Sequence, residues 1–205
     1  MPVQYVIEEW DFRDLTLKMK PPVFIPRPET EELVSLVLED LRSIQEESHT
    51  TDLRCLEVGC GSGAISLSLL HSIPQLRVFA LDQSQTAVSL TMENANRLGL
   101  QDRLDVHHLD VIKDADAILK ILRFEDHSAL DGGLDRLSMI RPILALSSKL
   151  LTQRGRVYLE VAPCHPPVIQ QLIEETRPGL LYLETRCDLT NRPRFCILQK
   201  KGEDN

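Results

Sequence analysis

Apolar and polar residues follow two different periods along this chain of 205 residues, and the two periods predict a mixture of strands and helices. Apolar residues at every second position over 3–7, and again over 15–19, predict a β-hairpin near the N-terminus. The proline-rich segment 21–28 ends this pattern. From about Thr30 the apolar residues recur every three or four positions and acidic residues crowd the first turn, which predicts a helix of about 16 residues.

Strand and helix patterns alternate after the polar loop 46–52, as they do in a parallel sheet covered by helices. The patterns predict strands at 55–58, 78–81, 104–109 and 157–161, and helices at 64–72, 87–98 and 168–175. Two further strands, 180–185 and 195–199, are predicted to close the chain as an antiparallel pair. The predicted fold class is therefore α/β, with a mostly parallel sheet, helices on both faces and an antiparallel C-terminal strand pair.

Two segments in the second half of the chain have a less regular pattern. The apolar run 115–124 fits a short strand or a short helix, and we expect a strand that fills the middle of the sheet. Pro142 lies inside the predicted helix 134–151. Because proline has no backbone N–H and clashes with the preceding turn, we expect it to kink or break that helix.

Composition and charge narrow the class of protein. The chain has 42% hydrophobic and 26% charged residues, which is typical of a globular protein. Its net charge of −8 argues against a direct electrostatic grip on nucleic acid. No apolar run reaches the roughly 18 residues that a membrane span needs. We therefore expect a soluble protein that binds neither membranes nor nucleic acid directly. We also expect a monomer.

The five cysteines and the first residues bear on the cellular compartment. Their number is odd and their spacing repeats no metal-ligand pattern, so we expect no metal site and reduced thiols, as in an intracellular protein. Residues 1–12 contain three acidic residues and no lysine or arginine, whereas a transit peptide is rich in arginine and poor in acids. We therefore expect no targeting segment.

A glycine-rich segment, Gly59–Gly63, lies between a predicted strand and the helix that follows it. Such a turn lets a ligand approach the backbone at the helix N-terminus. The spacing also matches the dinucleotide fingerprint, so a nicotinamide dinucleotide is an alternative ligand. Glu57, two residues before the first glycine, disfavours a pyrophosphate and favours a cationic ligand. We predict S-adenosylmethionine as the cofactor, because it carries amino and sulfonium cations and no phosphate.

Acidic residues end three consecutive predicted strands, at Glu57, Asp82 and Asp110. Ligands of open α/β sheets bind at this edge, so we expect Asp82 to bind the ribose hydroxyls and Asp110 the adenine amino group. Each has a structural alternative: either aspartate could cap the next helix or turn, and Glu57 could be a solvated strand-end residue. The predicted cofactor site comprises Glu57, Gly59, Cys60, Gly61, Ser62, Gly63, Asp82 and Asp110.

Four segments together resemble the HemK/PrmC methyltransferases. They are Phe24-Ile25-Pro26-Arg27-Pro28-Glu29-Thr30-Glu31, the glycine segment 56–65, Ala129-Leu130-Asp131-Gly132-Gly133, and the segment 186–195. The first and third are the specific ones, since a glycine loop alone is common. The resemblance covers nearly the whole chain and is nearest to the animal, organellar members. It implies a Rossmann-like class I S-adenosylmethionine-dependent methyltransferase that modifies the glutamine side-chain amide in the Gly-Gly-Gln motif of peptide-chain release factors.

The same resemblance implies a domain organisation and a location. Residues 1–28 correspond to a linking hairpin and proline-rich segment, and residues 29–205 to the methyltransferase domain. The partner is a peptide-chain release factor, and the expected location is the mitochondrion. Members of the family also carry an N-terminal helical domain that docks the release factor, and here the hairpin comes first, so we expect weaker substrate recognition.

One hallmark of the family, Asn-Pro-Pro-Tyr at the end of the fourth strand, does not occur in this sequence. The Pro-Pro pairs at 21–22 and 166–167 lie elsewhere, and only residues 111–128 separate Asp110 from Ala129. In the family this motif orients the amide nitrogen, a poor nucleophile, in line with the methyl group. We therefore assign no catalytic residue. One alternative is a non-catalytic binding module. Another is a nucleic-acid adenine methyltransferase, because that class uses a similar Asn-Pro-Pro-aromatic motif as a clamp for its amino group.

Overall fold

The computed structural model describes residues 1–48, 52–122, 139–176 and 178–202 of the protein. Within it the chain forms two compact units, Met1–Asp110 and Val111–Asn205. The family segment Ala129–Gly133 and residues 134–138 of the predicted helix lie outside the described residues. The division at residue 28 stays a prediction from the sequence.

The first unit contains the N-terminal hairpin and alternating strands and helices. Its elements are α1 (Val3–Val6), β1 (Glu9–Phe12), β2 (Leu15–Lys18), α2 (Pro28–Ser48), β3 (Leu53–Val58), α3 (Ala64–Ser72), β4 (Leu76–Asp82), α4 (Gln85–Leu98) and β5 (Leu104–His108). The predicted strands and helices that follow the hairpin are confirmed, with bounds that differ by a few residues. The α2 helix is longer than predicted at both ends: it begins at Pro28, where proline is well tolerated in a first turn, and continues to Ser48.

A three-stranded parallel sheet, in the order β3-β4-β5, forms the centre of this unit. The register runs from Leu53 opposite Leu76 to Val58 opposite Leu81, so β3 and β4 end side by side. Helix α4 begins where the Ser84 side chain accepts a hydrogen bond from the Ala87 amide and ends at Gly99, as predicted. The carboxyl ends of the strands thus meet at one edge, beside the starts of α3 and α4.

The N-terminal hairpin is shifted from its predicted position. Residues 3–6 form the short helix α1 rather than a strand, and the first strand begins at Glu9. The hairpin pairs Glu9 with Lys18 through Phe12 with Leu15. Phe12 and Leu17 are fully buried, whereas Val3 and Val6 are exposed. Burial of one face of β1 and β2 therefore accounts for the position of the hairpin, which alternation alone does not specify.

The second unit contains α5 (Ala115–Leu122), α6 (Ile140–Leu150), β6 (Arg156–Glu160), α7 (Pro166–Thr176), β7 (Leu180–Cys187) and β8 (Pro193–Lys200). Its sheet has the order β6-β8-β7, and both pairings are antiparallel, which confirms the predicted C-terminal pair. Its core is formed by apolar residues of the strands and of α6 and α7, including Leu144, Leu159, Ile169, Leu172 and Leu198.

One expectation in this unit is wrong, and a second is not tested. The segment 115–122 is a helix rather than a strand, with Ala115, Ile118 and Leu119 buried at helical spacing. Pro142 lies in the first turn of α6, which begins at Ile140, where a proline is well tolerated. Because residues 134–138 of the predicted helix lie outside the described residues, the expected kink stays a prediction.

The carbonyl end of α3 provides a first testable contact. The Arg103 guanidinium donates hydrogen bonds to the carbonyl of Leu70 (2.8 Å), in the last turn of α3, and to those of Ile73 (3.0 Å) and Pro74 (3.1 Å), just beyond the helix. We expect Arg103→Met to lower the free energy of unfolding by about 2 kcal/mol in urea titrations, since charged donors are lost. Arg97→Met, which removes only an exposed ion pair with Glu9, is the control and should cost less than about 1 kcal/mol. Equal costs for the two variants would contradict this role of Arg103.

Candidate functional site

The loop between β3 and α3, residues 59–63, is built on three glycines with positive φ. These angles are +82° at Gly59, +59° at Gly61 and +84° at Gly63, a region that side chains rarely adopt. The amides of Gly59 and Cys60 both donate to the carbonyl of Leu81, at 2.8 and 3.1 Å. The loop therefore starts as a continuation of the β3–β4 pairing and then turns sharply into α3.

The glycines serve two different purposes. A Cβ atom at Gly63 would lie 3.0 Å from side-chain atoms of Leu67 and Thr91, so this position is needed for close packing. A Cβ atom at Gly59 would have no atom within 4 Å. The backbone at Gly59 thus borders open space, into which a ligand can approach.

Glu57 is buried, with 9% of its surface exposed, although it is one residue from the end of β3. Its Oε2 accepts hydrogen bonds from the Ser66 amide (3.1 Å) and from the Ser66 hydroxyl, in the first turn of α3. Burial raises the pKa of Glu57 to about 7, against the lowering effect of the Ser66 bonds, and the nearby Asp82 raises it further. The alternative of a solvated strand-end residue is therefore wrong.

Asp82 connects the end of β4 to the glycine loop. Its Oδ2 accepts a hydrogen bond from the Gly61 amide (3.0 Å), and its Oδ1 accepts one from the Ser84 amide (2.9 Å). The capping alternative thus applies to one oxygen, while the other bridges to the loop. Because a carboxylate has about four acceptor sites, Asp82 can still accept hydrogen bonds from a ligand.

Asp110 is half-buried and lies two residues beyond the end of β5. The amide of its neighbour Leu109 donates to the Asp82 carbonyl at 3.1 Å, so the chain leaves β5 close to the end of β4. All eight predicted site residues lie in the first unit, between Glu57 and Asp110.

Sequence reasoning missed two polar residues of α4 that hold this loop. The Thr91 hydroxyl donates to the Gly61 carbonyl (3.0 Å), and the Asn94 amide group donates to the Ser62 carbonyl (2.9 Å). Both side chains are buried. The sequence holds a signal for them, because Thr91 and Asn94 lie on the apolar face of α4 beside Leu90 and Ala95. Buried polar groups almost always have hydrogen-bond partners, so polar residues on such a face indicate a specific contact.

The chemistry of the loop fits S-adenosylmethionine better than a phosphate-containing ligand. Residues 56–67 include Glu57 and no lysine or arginine, and Asp82 adds a second carboxylate. The Ser62 hydroxyl is buried without a hydrogen-bond partner in the described part of the chain, so a donor and acceptor remains for a ligand. Two carboxylates, one unpaired hydroxyl and the open space at Gly59 suit a cationic ligand with hydroxyl groups.

Among the residues that the structure describes, no cluster of three or more His, Cys, Asp or Glu side chains could hold a metal ion. Within the same ranges, no helix has the length and apolar character to cross a membrane. All five cysteines are free thiols.

Comparison with known proteins identifies this chain as similar to methyltransferases. The family model described as "Methyltransferase small domain" matches residues 34–161. The chain is similar to the human MTRF1L release factor glutamine methyltransferase, with 44% identity over 235 aligned residues that cover 98% of this chain and 68% of the human protein.

Solved structures of methyltransferases share the fold. The ribosomal protein L11 methylase of Lactobacillus delbrueckii subsp. bulgaricus matches with a TM-score of 0.62 and 19% identity, covering 91% of this chain and 86% of that one. The O-methyltransferase of Bacillus cereus, in complex with S-adenosylhomocysteine, matches with a TM-score of 0.60 and 17% identity, covering 88% and 84% of the two chains. The α/β fold is therefore that of class I S-adenosylmethionine-dependent methyltransferases.

Proposed function

Because this chain belongs to the release factor glutamine methyltransferase family, we propose that it binds S-adenosylmethionine in the glycine loop of its first unit. When bound, this cofactor supplies a methyl group on a sulfonium. The backbone of residues 59–63 would hold the methionine portion, Asp82 the ribose hydroxyls and Asp110 the adenine amino group. Glu57 would provide negative charge beneath the loop. The alternative ligand, a nicotinamide dinucleotide, is not favoured, since the family's cofactor is S-adenosylmethionine.

The observation that carries this proposal is the bridge between Asp82 and Gly61. It joins the acidic end of β4 to the centre of the loop at 3.0 Å, while Gly59 beside it faces open space. A carboxylate, a glycine turn and an approach to the backbone thus lie together at the carboxyl edge of a parallel sheet, where ligands of such sheets bind.

We propose that the substrate class is the glutamine side-chain amide of a peptide-chain release factor, as the name of the human relative indicates. Methylation requires the amide nitrogen to be held in line with the methyl group, and the sequence has no Asn-Pro-Pro-Tyr segment to do so. The alignment with the human protein spans 235 residues, more than the 205 of this chain, so the human protein has residues that this chain does not. Methyl transfer by this chain should therefore be slow.

The absent clamp also favours a second candidate, a module that binds the cofactor without turnover. Incubation with labelled S-adenosylmethionine and a release factor containing Gly-Gly-Gln distinguishes the two. Removal of one group that stabilises a transition state typically costs about 100- to 1000-fold in rate. Labelling of the glutamine at a rate below that of the human enzyme by at least that factor supports the enzyme, and saturable binding without labelling supports the module.

Fractionation of cells that express the protein would test the mitochondrial location.

Calorimetric titration with S-adenosylmethionine tests the binding site itself. We expect saturable binding by the wild type, and at least about tenfold weaker binding by Gly59→Ala, whose methyl group enters the open space beside the loop. Gly99→Ala is a matched control, since Gly99 has a similar φ of +68° and also has no atom within 4 Å of a Cβ. Both variants should lose similar thermal stability, and only the first should lose affinity.

Absence of binding by a wild-type chain that melts cooperatively would contradict the proposed site. Equal affinities of the Gly59→Ala and Gly99→Ala variants would show that the ligand binds elsewhere.

A further inference from the structure

Asn94 is a deeply buried polar side chain that contacts both the hairpin and the glycine loop. It lies in α4 with 1% of its surface exposed. Its Nδ2 donates to the Ser62 carbonyl (2.9 Å) and to the Lys18 carbonyl (3.1 Å), and its Oδ1 accepts from the Lys18 amide (2.7 Å). Only this orientation of the amide satisfies all three contacts, because exchange of oxygen and nitrogen would place like groups together.

On the hairpin side, Asn94 binds the last residue of β2 as a neighbouring strand would. The adjacent residue Glu93 adds ion pairs to Lys18 (2.6 Å) and Lys20 (2.8 Å), and Arg97 adds one to Glu9 (2.8 Å). These ion pairs are partly exposed, and such pairs contribute little. The buried Asn94 is therefore the contact of α4 whose loss would most disturb the docked hairpin.

On the loop side, Asn94 and Thr91 hold two successive carbonyls, those of Ser62 and Gly61. In a trans peptide the N–H points away from the preceding C=O. Holding the Gly61 carbonyl toward α4 therefore turns the Ser62 amide away from α4. The polar groups of α4 thus fix the orientation of backbone amides in the loop that we propose as the cofactor site.

We propose that Asn94 is a positioning residue that couples the docking of the hairpin, residues 9–18, to the conformation of the glycine loop. The same side chain stabilises both, so a ligand that orders the loop also strengthens the docking of the hairpin, and the effect is reciprocal. The identity of the ligand rests on the proposed function, whereas the coupling itself rests on the three hydrogen bonds of Asn94.

Hydrogen exchange of the hairpin amides measures this coupling. Saturating S-adenosylmethionine should slow exchange over residues 9–18 about tenfold in the wild type, within the usual range of coupling between sites. Asn94→Asp keeps the size and the acceptor for the Lys18 amide but loses both donors, and there the slowing should fall below about twofold. Glu93→Gln, which weakens the hairpin ion pairs without touching the loop, should retain the wild-type response. Calorimetry and a circular dichroism melt establish binding and folding for each variant.

A second arm needs no ligand, so it separates the coupling from the proposed function. Thr91→Val removes the hydrogen bonds to the Gly61 carbonyl and the Cys60 sulfur, which loosens the loop, and neither partner belongs to the hairpin. It should speed hairpin exchange when Asn94 is present and leave it unchanged in the Asn94→Asp background. Equal responses in both backgrounds, or no response of the wild-type hairpin in either arm, would overturn the coupling. If the wild type binds no cofactor, the proposed function fails and the second arm alone decides.

Discussion

Replacement of Glu57 by Gln is expected to gain about 2 to 3 kcal/mol of stability relative to the wild type as the pH rises from 5 to 8. The folded protein holds the Glu57 proton up to a pKa of about 7, whereas the unfolded chain releases it near the ordinary value of 4.5. Between these values the folded state binds more protons, so wild-type stability is highest at low pH and falls as the pH rises through this window. The side-chain amide of the introduced glutamine keeps an acceptor for Ser66 and does not titrate.

Urea titrations at pH 5, 6, 7 and 8 on both proteins test this expectation. The acidic side chains Glu93 and Asp188 have pKa values lowered to about 2 by their hydrogen-bond partners, so they stay ionised throughout the window. The thiols of Cys55 and Cys60 have pKa values of about 12, because they are buried, and stay neutral. Parallel pH curves for the wild type and the variant would contradict the assignment of the titration to Glu57.

The same variant should lose cofactor affinity. An ionised Glu57 favours a cationic ligand, so Glu57→Gln should bind S-adenosylmethionine about tenfold more weakly at pH 8 and nearly as well as the wild type at pH 5. A residue that costs stability and supports binding is typical of a functional site.

Replacement of Gly63 by Ala is expected to lower the free energy of unfolding by about 3 kcal/mol. The new methyl group would meet Leu67 and Thr91 side-chain atoms at 3.0 Å, and alanine would also be strained at a φ of +84°. Gly99→Ala carries the strain without the contact and should cost only about 1 kcal/mol. Thermal and urea unfolding of both variants measure the difference, and equal costs would show that the packing around Gly63 adapts to the methyl group.

Local patterns were sufficient for much of the first unit. The strand β3, the helices α3 and α4 and the turn at Gly99 each have an apolar period or a terminating residue that identifies them. The positions of Glu57 and Asp82 at strand ends could also be predicted, because parallel strands align their carboxyl ends. Their partners could not, since the contacts of Glu57 with Ser66 and of Asp82 with Gly61 depend on how the loop folds back.

The errors come from segments in which tertiary packing decides between equal local choices. The run 115–122 is apolar enough for a strand or a helix, and burial of Ile118 and Leu119 on one face accompanies the helix. Alternation over residues 3–7 predicts a strand, but the side chains of Val3 and Val6 are exposed, so no burial stabilises a strand there.

The register of β3 against β4 restricts the number of residues in this region more tightly than it restricts which side chains occur there. Each β3 residue from Leu53 to Val58 faces a fixed partner, and the pairing continues into Gly59 and Cys60 at the Leu81 carbonyl. Insertion of a single residue in β3 would move Glu57 to the opposite face of the sheet and separate the Gly61 amide from Asp82. Conservative substitutions within the strand leave that spacing intact, so over evolution this segment should tolerate changes of side chain far better than changes of length.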